Sequence, residues 1–122
     1  MAQITLNDGQ QFTAAADRRL VLALMDHGID ILHRCGGNAR CTTCRVHFIH
    51  GEPQTMTQAE FERLEARGLL GEARLSCQLL CEQDMKIEVI NRLSESDLDD
   101  AGPDPEPYIT PNPVWITKPA AR

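Results

Sequence analysis

The stretch Cys35-Gly36-Gly37-Asn38-Ala39-Arg40-Cys41-Thr42-Thr43-Cys44 sets three thiols in a C-x5-C-x2-C pattern among small residues. It has neither the 3.6-residue nor the two-residue periodicity of a helix or strand, so it is predicted to be a loop. Two further cysteines, Cys77 and Cys81, lie far downstream. An odd number of cysteines in a chain with no secretory leader pattern argues against a disulfide framework and for thiolates that hold metal.

The spacing narrows the metal chemistry. A [2Fe-2S] rhomb has two tetrahedral irons, each needing two terminal thiolates, so a compact loop giving three and a distant segment giving one can enclose it. The fourth thiolate is then Cys77 or Cys81, and spacing alone leaves both open. Gly36, Gly37 and Ala39 let backbone N–H groups approach sulfur without side-chain obstruction. Structural zinc sites take two close ligand pairs, and only Cys41-Thr-Thr-Cys44 is one here. Cys44-Arg-Val-His47 matches half of a Rieske pattern, but no C-x-H accompanies it and His47 falls in a predicted strand. Thioredoxin-like exchange would set a C-x-x-C at a helix start, whereas a strand follows this one. Cys81, if spare, reads as a small buried hydrophobe. His33 and His50 read as flanking surface groups.

Upstream of the loop, Gln3 to Leu6 and Gln11 to Ala14 flank Asp8-Gly9, the signal for a two-strand hairpin. Asp17 is placed to cap a helix over Arg18 to His27, with Leu20, Leu24 and Met25 on one stripe and Gly28 as its left-handed stop. Downstream, Arg45 to His50 has strand composition and ends at Gly51-Glu52-Pro53. Thr57 and Glu60 form a capping-box pattern before a second helix that Gly68 closes. Met85 to Ile90 alternates as a closing strand. Strands and helices mix without βαβ repetition, which predicts an α+β fold: a small mixed sheet with packed helices.

Cys35 to Val46, read C-G-G-N-A-R-C-T-T-C-R-V, together with R-L-S-C-Q at Arg74 to Gln78, resembles the [2Fe-2S] ferredoxin family, with the five-residue first gap of adrenodoxin-type members. The preceding helix, the Gly28-Ile29-Asp30-Ile31 approach and the closing strand are similar too. The resemblance implies a β-grasp fold over residues 1–93, a [2Fe-2S] cofactor and one-electron transport rather than enzymatic turnover. It further implies cluster ligation by Cys35, Cys41, Cys44 and Cys77, since Cys77 stands in R-L-x-C-Q, although the gap to Cys81 is closer to the adrenodoxin-type length. The implied partners are proteins, a reductase and an electron acceptor. Arg34, Arg40 and Arg45 around the loop either favour the reduced cluster by Coulomb attraction or point to water. Thr42 and Thr43 are placed to donate to sulfur or to the loop backbone.

Composition agrees with that class and excludes others. The net charge of −6 and pI of about 5.1 leave no basic patch for nucleic acid. The longest apolar run, Leu20 to Met25, is far short of a bilayer span, and the start lacks a secretory signal, so a cytoplasmic location without membrane attachment is expected. Glu60, Glu62 and Glu65, interrupted by Arg63 and Arg67, read as a mixed solvated helix face. Residues 94–122 form an acidic, proline-rich C-terminal tail that holds six of the seven prolines and net charge −4. Tyr108-Ile109 and Val114-Trp115-Ile116 are apolar anchors within it. They suit a strap docked on the core, or on a second subunit in a homodimer stitched by Trp115. The tail also raises an alternative function, a redox-sensing interaction module whose cluster state alters partner binding.

Overall fold

The computed structural model describes residues 1–119. The hairpin is there: β1 (Ala2–Leu6) pairs antiparallel with β2 (Gln11–Ala14), and Gly9 takes the left-handed conformation (φ 94°) that the turn requires. α1 follows at Leu20–Asp26, then β3 (Arg45–His50), β4 (Thr55–Thr57), α2 (Gln58–Ala66), β5 (Arg74–Leu75), β6 (Met85–Val89) and β7 (Trp115–Thr117). Five strands form one mixed sheet in the order β2-β1-β6-β3-β5, with β1 and β6 parallel and the other pairs antiparallel. This is the α+β, β-grasp arrangement.

The alternation that predicted β6 places Met85, Ile87 and Val89 inward. They meet Ile4 and Leu6 of β1, Val46 of β3, Leu75 of β5 and Leu20 to Leu24 of α1 in one core. α1 is shorter than the sequence indicates. Its N-terminal residue is Arg19, which provides no side-chain cap, and Asp17 stays exposed outside the helix. Gly28, at φ 77°, ends it as expected.

The tail lies along its own domain. Asp30 holds its start through Arg92 and the Ser94 N–H. The His33 N–H then donates to the Ala101 carbonyl. Gly102, at φ 131°, presses so closely on the His33 carbonyl that a Cβ would collide with it. Pro105 and Ile109 are buried, and β7 closes the strap by pairing antiparallel with β4. His33 is therefore buried, with Nδ1 against the Ile31 carbonyl at 3.0 Å, and is not the surface group its sequence position suggests. Trp115 keeps 43% of its surface exposed.

Ile87 sits at 0% exposure between β1 and β3. Ile87→Ala is expected to cost about 2–5 kcal/mol, read as a lower urea midpoint at an unchanged slope.

Candidate metal centre

The cysteine loop is shaped by its backbone. Gly36, Gly37 and Ala39 have φ of 72°, 83° and 57°, a run that curls the chain over its own N–H groups. The backbone N–H groups of Asn38, Arg40 and Cys41 face the Cys35 sulfur and lower its pKa, and that of Ala39 does the same for Cys77. A side chain at Gly37 has no room: its Cβ would stand 2.8 Å from Arg19 Nη2 and 2.9 Å from Pro105 Cβ.

The residues of R-L-S-C-Q each fasten a different part of the site. Arg74 and Glu60 form a fully buried forked pair at 2.8 and 3.1 Å, and Arg74 also reaches Glu52 and the carbonyls of Pro53 and Thr55. The second Glu60 role is to accept the Leu75 N–H at 2.8 Å. Ser76 donates from its N–H and its hydroxyl to the Cys44 carbonyl at 3.1 and 2.7 Å. Gln78 is fixed by the Thr57 hydroxyl at 2.6 Å and donates to Cys77 Sγ at 3.6 Å and to the Thr110 carbonyl at 2.8 Å. Only half of the expected capping box exists: Thr57 Oγ1 accepts the Glu60 N–H at 3.1 Å, while the Glu60 carboxylate turns inward. Glu60 thus leaves the solvated face to Glu62 and Glu65, which are exposed.

Four of the five thiols assemble as two pairs. Cys35 and Cys41 are neighbours, and this proximity together with the loop amides brings the Cys35 thiol down to about 4 and raises Cys41. Cys44 and Cys77 are neighbours in the same way, which lowers Cys77 and raises Cys44. Cys44 and Cys77 are buried, Cys35 and Cys41 half-buried, so the site has an inner and an outer end. Thr43 Oγ1 lies 3.1 Å from Cys41 Sγ and also accepts the Arg34 N–H. The hydroxyl thus serves the loop backbone as an acceptor while standing against sulfur.

Cys81 stands apart, buried beside Arg18 and Asp26, and burial pushes its thiol up to about 11. Arg34 is taken up by Asp100 of the strap, Arg40 is exposed and Arg45 half-buried. His47 is an exposed strand residue.

One residue escaped the sequence reading. Arg19 is 0% exposed, and its guanidinium donates to the carbonyls of Cys77, Gly37, Glu106 and Tyr108. Burial lowers its pKa, and the neighbouring Cys77 and Cys44 sulfurs act in the opposite direction. A signal for it exists, since Arg19 precedes Leu22 and Ala23 by three and four residues, on the face of α1 that is apolar.

Two thiol pairs, amide donors on the sulfurs and a cradle without side chains fit a two-iron rhomb. Among the described residues no three His, Cys, Asp or Glu side chains converge on one metal-sized point. Comparison with known proteins agrees. Residues 4–82 match the 2Fe-2S iron-sulfur cluster binding domain model. One subunit of the Na(+)-translocating NADH-quinone reductase is 32% identical over 87 residues in Yersinia pestis and 32% over 92 residues in Chlamydia felis. These matches cover 71% and 74% of this chain but 21% of each relative, so the chain spans about a fifth of their length. Among solved structures, the ISC-like [2Fe-2S] ferredoxin FdxB of Pseudomonas putida aligns at TM-score 0.61 and 24% identity, over 74% of this chain and 93% of that one. Reduced putidaredoxin of Pseudomonas putida, in a cysteine-to-serine variant, aligns at TM-score 0.53 and 25% identity, over 75% and 96%.

Two outcomes follow from this geometry. Arg74→Met strands the Glu60 carboxylate in the interior and is expected to cost about 3–5 kcal/mol by urea denaturation, far more than loss of the exposed Arg40. Cys81, whose folded pKa is raised from 9.0 to about 11, contributes stability that is full below pH 9 and lost as pH rises toward 11. Cys81→Val removes that part of the alkaline decline, measured as the difference between the two proteins' stability profiles over this window.

Proposed function

The chain belongs to the 2Fe-2S iron-sulfur cluster binding domain family, and on that premise we propose that residues 1–93 form an electron-carrier module that exchanges single electrons between a reductase and an acceptor protein. The tail from residue 94, described to residue 119, is its strap. The cofactor is a [2Fe-2S] cluster, which supplies a one-electron centre when bound. We assign its ligands as Cys35 and Cys41 at the outer end and Cys44 and Cys77 at the inner end.

The observation that carries this reading is the gathering of these four sulfurs as two neighbouring pairs, Cys35 with Cys41 and Cys44 with Cys77. The separate surroundings of Cys81, near Arg18 and Asp26, support leaving it outside the set. The loop amides, Thr43 and Gln78 direct donors at sulfur, which favours charge there and steadies the sulfurs as the charge changes. Burial of Cys44 and Cys77 keeps water from the inner end, while the half-buried Cys35 and Cys41 bring the outer end within reach of a docked partner. Putidaredoxin, which aligns here, has been captured in a covalent complex with putidaredoxin reductase, and this supports a reductase as one partner.

The relatives favour a second reading. They belong to an NADH-quinone reductase and far exceed this chain in length, which suits a domain that passes electrons inside a larger assembly. Among the described residues no helix is long and apolar enough to cross a membrane. Reduction by a pyridine-nucleotide-dependent reductase added in solution, at a rate that rises and saturates with the concentration of this protein, supports the diffusing carrier. A rate that stays negligible at every concentration favours the assembly.

Anaerobically purified protein is expected to show the visible absorption of a [2Fe-2S] centre, two irons and two sulfides per chain, and a paramagnetic signal only after reduction. Its midpoint is expected near or somewhat above about −400 mV. Cys77→Ser cripples cluster retention and Cys81→Ser does not. Colourless, compact, zinc-loaded protein overturns the reading.

A further inference from the structure

Arg19 is a cation in the interior with no carboxylate against it. All five hydrogen bonds of its guanidinium end on main-chain carbonyls: two on Cys77 at 3.1 and 2.7 Å, one on Gly37 at 2.6 Å, one on Glu106 at 2.8 Å and one on Tyr108 at 3.0 Å. None of the ion pairs among the described residues includes it. The other buried arginine, Arg74, has Glu60 and Glu52. A desolvated charge left to neutral carbonyls is costly, and such charges are held where an opposite charge stands close by. Two of the four carbonyls belong to the cysteine loop and to Cys77 itself, so the missing anion lies at the sulfur site.

We propose that Arg19 is the internal countercharge of the [2Fe-2S] assembly and a positioning residue that sets how readily the electron is accepted. The strap carbonyls of Glu106 and Tyr108 hold it in place. This rests on the cluster reading above. Counting its thiolates, the assembly has two net negative charges oxidised and three reduced. The electron arrives from the reductase without a proton, so the added charge is met by the charges already present. Arg19 is enclosed, so neither water nor salt screens it from the site. Arg34, by contrast, is engaged by Asp100, and Arg40 is exposed. Arginine suits the position because one planar fork reaches the loop, Cys77 and two strap carbonyls at once.

The test is a redox titration of the native protein and of Arg19→Gln, Arg19→Lys and Arg40→Gln, at low and at molar salt, with iron and sulfide measured in each. Arg19→Gln is expected to disfavour the reduced form at least tenfold, a fall of about 59 mV for one electron, and to do so at both salt concentrations. Arg19→Lys keeps the charge without the fork and restores most of the potential. Arg40→Gln gives a smaller shift that salt abolishes. If Arg19→Gln cannot retain the cluster and Arg19→Lys can, the charge is again what matters. An unchanged potential in cluster-bearing Arg19→Gln overturns the proposal, as does equal shift or equal cluster loss in the Gln and Lys variants. A native protein without iron and sulfide overturns the underlying cluster reading instead.

Discussion

Ser76 grips the Cys44 carbonyl with both its N–H and its hydroxyl, and these two hydrogen bonds join the separate segments from which the thiols come. The cysteine loop cannot reach Cys77 by its own folding, because the chain passes through β3, β4, α2 and β5 before returning. Around that junction stands a set of buried polar groups, each with a partner, from the Glu60–Arg74 fork on one side to Thr57 and Gln78 on the other. Among the described residues no buried side-chain nitrogen or oxygen lacks a hydrogen bond. With aromatic residues at only 4% of the chain, the interior around the site is specified by these bonds as much as by apolar packing.

What could be read in the sequence was whatever local periodicity and turn chemistry decide. The Asp8-Gly9 hairpin, the stop at Gly28, the span of β3 and the alternation of β6 all follow from a few neighbouring residues. The three loop cysteines were legible because small residues and spacing constrain them together. Cys77 needed the resemblance, since spacing left it and Cys81 both open and only its R-L-x-C-Q setting favoured it.

The parts that escaped the sequence depend on distant partners. Glu60 has the pattern of an exposed capping residue, yet Arg74 draws its carboxylate inward across the fold. His33 is polar and loop-borne, and it is buried because the strap returns to cover it. β4 and β7 are three residues each, too short to show alternation, and each exists as the other's hydrogen-bonding edge. Asp17 offered a conventional cap, but Arg19 took the helix N-terminus, held inward by carbonyls from three other regions.

The strap meets the interior through main-chain oxygens of Glu106, Tyr108 and Thr110 and through the rings and methyls of Pro105 and Ile109. The side chains of Glu106 and Tyr108 face outward and bear no part of that inner contact. Interior and exterior are therefore written in different alphabets along one ribbon. Substitutions at those outward positions can rewrite the face shown to another molecule while the strap's hold on Arg19, Gln78 and the glycines of the loop stays as it is.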